Sequence, residues 1–277
     1  MSTTQTTAAL VGPTHADISS AHEVSTRRVI RSEWIKLRSV RSTIVTLGFA
    51  GVAVAVVGVL ISMLSDGAVL FGDGEVVYDP GGNSLFGTSI AQLVLGVLGA
   101  LLVTSEYATG LIRTTFAAVP KRLPVLWAKV VVVSGVVFAT MVAGVGVAFF
   151  AGQALYSGGG VGASIFDAGV ARALLGAAVF PTAIAVMGIA LGVLMRHTAM
   201  AVGVLFGLLF LLPALLHTIG GVGSDIVNYL PPEAGETMTT IVDDPDGMSP
   251  LAGFAVLFGW VGALLATAAT VLKRRDV

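Results

Sequence analysis

The chain has no cysteine. Disulfides, thiolate metal sites and cysteine nucleophiles are therefore excluded. Charge is nearly as scarce. Only 11% of the 277 residues are Asp, Glu, Lys or Arg, against about 25% in soluble domains. So few charges cannot cover a water-facing surface. The long apolar runs are poorer still, with no Asp, Glu or Arg at mid-depth and no His or carboxylate pair at i,i+4 spacing. Ion-coupled transporters and intramembrane enzymes place ionisable groups at such depths, so both classes are disfavoured. No HExxH occurs, which argues against a zinc protease. No GxxxxGK[ST] occurs either, so any ATP dependence must come from another polypeptide. The net charge of −1 gives no reason to expect nucleic acid as a partner.

The residues present point to a membrane. Hydrophobic types make up 55% of the chain and the mean hydropathy is +0.93. A bilayer core of about 30 Å takes about 20 apolar residues in a helix. Six segments qualify, near 43–64, 85–104, 125–155, 171–195, 199–216 and 250–272. Pro181 lies inside the fourth and Pro213 near the end of the fifth. The fold class is therefore all-α, a polytopic membrane protein of six spans with no catalytic role. Residues 1–24 are polar, lack Lys and Arg and have no apolar h-region. They read as a disordered tail rather than a signal peptide, leaving 25–277 as one transmembrane domain.

Charge fixes an orientation. An even number of spans puts both termini on one side. With the termini in the cytoplasm, 14 of 15 basic residues fall inside and 11 of 16 acids outside. That is the positive-inside pattern of a cell-membrane protein. Arg172 is the outside exception, read as snorkelling to the outer interface near Asp167. Lys129, near the inner end of span three, is read as snorkelling back to the cytoplasm.

"STRRVIRSEWIKLRSVRS" precedes span one. On a helix, Val29, Ile30, Trp34, Leu37 and Val40 share an arc, with Arg31 and Arg38 beside it. Residues 25–41 are thus expected to form an interfacial helix on the inner leaflet, with Trp34 at the boundary. Glu33 intrudes on the apolar arc. On span two, Thr88, Gln92, Gly96 and Gly99 share a face. Thr88, Ser89 and Gln92 could line a substrate path, or the face could serve interhelical hydrogen bonding. Gly188/Gly192 and Gly203/Gly207 have small-xxx-small spacing, which permits close helix packing.

Two outer loops are sizeable. In "FGDGEVVYDPGGN" the Asp73-Gly74 pair predicts a small hairpin. In 217–249, a short helix is expected from Ser224 or Asp225 to the Pro231-Pro232 pair, then another from Glu233 to Ile241. "DDPDG" reads as a turn.

"SEYATGLIRTTFAAVPKR", residues 105–122, follows span two. Thr104 or Ser105 is expected to cap a new helix with Glu106 in its first turn. Gly110 breaks or bends it, and Pro120 stops a two-turn helix ahead of Lys121-Arg122. The result is a compact cytoplasmic helix between two spans, stiff enough to transmit a push.

This stretch, with "SEWIKLRSVRST" before span one, resembles the permease subunits of bacterial ABC transporters of the ABC-2 type, particularly the actinobacterial drug-exporter-like ones. The resemblance implies a coupling helix between spans two and three that docks on a nucleotide-binding subunit. It places Glu106, Gly110, Ile112, Arg113, Pro120 and Arg122 in that coupling element, and the family's outer re-entrant helices at 224–241. It implies a partner ATPase carrying ATP and Mg, with no cofactor on this chain; because six spans seldom enclose a large path alone, a second permease copy, identical or paralogous, is also expected. Export follows from the same likeness, and the apolar spans suit a lipophilic or amphipathic substrate. An ATP-independent transporter or a non-transporting membrane scaffold is the alternative.

Overall fold

The computed structural model describes residues 25–65, 68–70, 76–156, 162–241 and 247–274. The expected tail, the Asp73-Gly74 turn and "DDPDG" lie outside them. Helix α1 spans Thr26–Ser39, with Ser25 accepting at its N-terminus from the Arg28 N–H at 3.4 Å. One residue, Val40, separates it from α2, Arg41–Leu64. Strands β1 (Ala68–Leu70) and β2 (Val76–Tyr78) pair antiparallel, Val69 opposite Val77, so the expected hairpin is present. Helices α3 (Pro80–Leu85) and α4 (Thr88–Ala108) follow. The short α5 is Leu111–Ala118 and the long α6 is Leu123–Tyr156.

Helix α7 runs Val170–Met195 with Pro181 inside it. The fifth span starts as α8, Thr198–Phe206, widens to a π-helical turn over Gly207–Leu211, and resumes as α9, Leu212–Ile219. Pro213 lacks the N–H that would bond four residues back, and the widened turn sits where that bond is lost. Short helices α10 (Val222–Val227) and α11 (Pro231–Glu236) precede α12, Pro250–Arg274. Here the Pro231-Pro232 pair starts a helix rather than stopping one. Proline's missing N–H costs nothing in the first turn. Among the described residues, six helical segments are long and apolar enough to cross a membrane: 41–64, 80–108, 123–156, 170–195, 198–219 and 250–274. The expected spans sit inside these limits.

Helix α7 is the hub. It is buried along most of its length, whereas α2 and the fifth span are largely exposed. Its closest partner is α4. A Cβ on Gly188 would collide with the Gly96 carbonyl oxygen, and one on Gly99 with that of Ala185. Backbones this close exploit small residues where no hydrophobic force separates protein from lipid. Gly203 and Gly207, by contrast, have nothing within 4 Å of a Cβ. The two glycine pairs look alike in sequence, and only the first is a packing seam. Gly188→Val is accordingly expected to cost about 1–3 kcal/mol by overpacking, and Gly203→Val almost nothing. Thermal unfolding of the two variants in detergent checks the contrast.

Candidate functional site

The helices bring four charges together at the end of the bundle where α1, α4, α5 and α6 meet. Glu33 comes from α1 because it falls between Val29 and Leu37 on that helix's buried stripe. Its Oε2 accepts from Lys129 Nζ of α6 at 2.7 Å, and its Oε1 from Lys36 Nζ at 2.7 Å. Glu106 of α4 accepts from both lysines on one oxygen, Oε1, at 2.9 Å from Lys129 and 3.2 Å from Lys36. Lys36 also donates to Thr115 Oγ1 of α5 at 3.4 Å, and Lys129 to the Leu102 carbonyl at 3.4 Å. Two carboxylates and two ammonium groups balance. Glu33, Glu106 and Lys129 are 3%, 6% and 6% exposed, so the cluster is desolvated and held by its own pairing.

Three expectations change here. Lys129 does not snorkel to the cytoplasm. It turns inward because two carboxylates offer it better partners than distant water. Glu33 does not disturb an amphipathic helix. Helix α1 has two stripes, one buried against the protein and one outward with Trp34 and Ile35 at 45% and 55% exposure. Glu106 does not open a new helix, because α4 continues to Ala108. It stands in the last turn, where the helix dipole opposes a carboxylate, and the two lysines offset that. Neither proposed cap acts as one. Thr104 is buried and accepts from Thr198 Oγ1 at 2.9 Å, joining α4 to the fifth span, and Ser105 is exposed on the continuing helix.

The break comes at Gly110, with φ of +73°, a conformation that a side chain disfavours. It lets α5 turn away from α4. Ile112 and Phe116 are buried beneath α5, while Arg113 and Pro120 are exposed. Arg122 folds back, its guanidinium 5.6 Å from the Phe116 ring centre and its Nη1 donating to the Leu272 carbonyl of α12 at 3.4 Å. Arg31 and Arg38 are exposed on α1. The expected path residues lie near the far end of α4. Thr88 and Gln92 are buried and Ser89 is half-buried. Thr88 donates to the Leu85 carbonyl at the end of α3, 2.8 Å away. Among the described residues no three His, Asp or Glu side chains are grouped to hold a metal ion.

Outside the spans, two of the cluster's groups have shifted ionisation. Burial pushes the Glu33 carboxyl up, but Lys129 and Lys36 outweigh it and hold it below its ordinary 4.5. Burial pushes Lys36 down, but Glu33 and Glu106 outweigh it and hold it above 10.5.

The charge cluster and α5 thus lie together at one end of a bundle of membrane-length helices, between its second and third spans. The chain belongs to the ABC-2 family transporter proteins, whose family model matches residues 29–214, more than half of the 277. That match contains α1 from Val29 onward, the charge cluster and α5. No curated protein matches the chain. A permease of this family is a multi-pass membrane protein and not itself an enzyme.

Lys129→Met strands two buried carboxylates on Lys36 alone. Breaking a buried pair from one side costs about 3–5 kcal/mol, so the melting temperature in detergent is expected to fall sharply. Glu33's depressed pKa adds stability above pH 4.5 that is lost as pH falls through its folded value. Lys36's raised pKa adds stability below pH 10.5 that is lost as pH rises through its folded value. Between those limits the contribution of these two groups is expected to be flat, which melting curves across pH check.

Proposed function

We propose that this chain is one permease copy of an ABC exporter, and that residues 105–122 receive the motion of a separate ATP-hydrolysing subunit. The single observation behind this reading is the exposed face of α5 above its buried anchors. Ile112 and Phe116 fix the helix to the bundle, while Leu111, Arg113, Thr114 and Pro120 are left uncovered. A partner pressing on that face would move α1, α4 and α6 together, because Glu33, Lys36, Glu106 and Lys129 tie them. ATP and Mg would be bound by the partner.

The basic side chains of α1 support placing this end, with both termini, in the cytoplasm. Arg31, Trp34 and Arg38 would then lie along the inner leaflet, with 25–277 acting as one transmembrane domain. The exposed α2 and fifth span offer faces to a second copy, identical or paralogous. Half-buried Ser89, beside Thr88 and Gln92, supports a path along the start of α4. Short helices α10 and α11 would form the re-entrant element on the far side. An apolar bundle suits an exported lipophilic or amphipathic substrate.

Arg113→Glu reverses the charge on the exposed face without touching the core. It is expected to insert normally and to lose most co-purifying ATPase subunit in a gentle-detergent pull-down. A lone, folded wild-type chain with no ATPase would favour an ATP-independent transporter or a scaffold.

A further inference from the structure

Helix α1 carries four arginines that the charge cluster does not use. Arg27, Arg28, Arg31 and Arg38 are all exposed. At about 100° per residue, Arg27, Arg31, Trp34 and Arg38 fall within about 60° of one another. That stripe is turned away from buried Val29, Glu33 and Leu37. Exposed Ile35 lies beside it. The one acid on α1, Glu33, bonds inward to Lys36 and Lys129. Among the described residues no carboxylate pairs with any of the four arginines. The outward face of α1 is therefore a strip of positive charge with two apolar side chains set into it.

The chain fixes the depth of that strip. Val40 alone separates α1 from α2, and its extended backbone, φ −89° and ψ 104°, turns α1 off the α2 axis. Helix α2 has 24 residues. That is about 36 Å of helix for a hydrocarbon core of about 30 Å. Arg41 at its start thus lies near the headgroups. Just past it, Ile44 and Val45 are exposed, as side chains that face lipid are. Helix α1 departs from that same level.

Charge and apolarity together select the occupant. A free anion has no use for Trp34 and Ile35. A zwitterionic headgroup brings its own cation, which the arginines repel. An acidic protein surface matches the charge, but a strip at headgroup depth meets lipid first. An anionic phospholipid satisfies both features, with phosphate for the guanidinium groups and acyl chain for the apolar pair. We propose that the outer face of α1 binds anionic phospholipid in preference to zwitterionic, with Arg27, Arg31 and Arg38 on the headgroups and Trp34 against the upper acyl chains. The same helix supplies Glu33 and Lys36 to the charge cluster, so the bound lipid steadies the cluster from behind. This inference rests on the interfacial placement of α1 in the proposed function, and on neither the ATPase nor the substrate.

The test uses the full chain with Trp127→Phe and Trp260→Phe, which leaves Trp34 as the one tryptophan. In phosphatidylcholine nanodiscs, quenching of Trp34 by bromine-labelled phosphatidylglycerol is compared with quenching by bromine-labelled phosphatidylcholine at equal mole fraction. The anionic lipid should bind about fivefold more tightly beside Trp34, the scale of one basic residue at an anionic surface. High salt should shrink that preference. Arg27→Gln, Arg31→Gln and Arg38→Gln together remove the stripe and leave all four cluster charges in place. They should abolish the preference and keep the quenching by phosphatidylcholine. If the triple variant does not accumulate, Arg31→Gln alone should lower the preference. Equal quenching by the two lipids would overturn the proposal with α1 still at the interface, and would leave the arginines to solvent or to an acidic protein. Quenching by neither lipid would overturn the interfacial placement as well. A preference unmoved by loss of the arginines would overturn their assignment.

Discussion

Everything at the basic end of this molecule depends on one constraint: a buried carboxylate–ammonium set must stay complete. Desolvated charges are costly and are tolerated only when each has its partner. Glu33 is 3% exposed and shares its two oxygens between Lys36 and Lys129. Those lysines in turn hold Glu106. The four residues come from three helices, and Thr115 adds a fourth. Helices α1, α4 and α6 cannot move far from one another without stranding a charge, and α5 is held to them by Thr115 and by buried Ile112 and Phe116. The cluster is thus a mechanical constraint as well as a chemical one.

Above it the bundle is tied differently. The α4–α7 seam depends on glycines that let two backbones touch, a contact without charge and insensitive to pH. Toward the far end, small hydroxyl and amide bonds take over. Ser62 and Ser84 lie 3.1 Å apart, and Gln153 donates to the Pro80 carbonyl at 2.9 Å. The structure therefore has a rigid centre, a polar far end, and a charge-locked base from which α5 projects. That arrangement is what a family member needs if force is to enter at one end and be felt along the spans.

Much of the fold was legible because its causes are local. Span number and limits follow from apolar length, and the pairing of β1 with β2 joins two short β-prone runs that lie close in sequence. The charge cluster was half legible. Glu33 on an apolar arc and Lys129 inside an apolar run were each noticed and each explained alone. Two opposite charges in costly places are the signal that they meet, but nothing in the sequence states that residues 96 positions apart are neighbours. Glu106 stands out in the sequence within 105–122, but its place is one helix earlier than capping residues suggest, because Thr104 and Ser105 lie where the helix simply continues. Gly188/Gly192 and Gly203/Gly207 could not be told apart, since spacing is local and a packing partner is not.

The central claim is that α1, α4, α5 and α6 move as one body when the partner ATPase closes. Spin labels at Ile35 on α1 and Thr114 on α5, both on exposed positions, would report it in the complex. The account predicts the same label separation in nucleotide-free and ATP-trapped states, and a broadened one in Glu106→Gln. A separation that changes with nucleotide in the otherwise unaltered protein would contradict it.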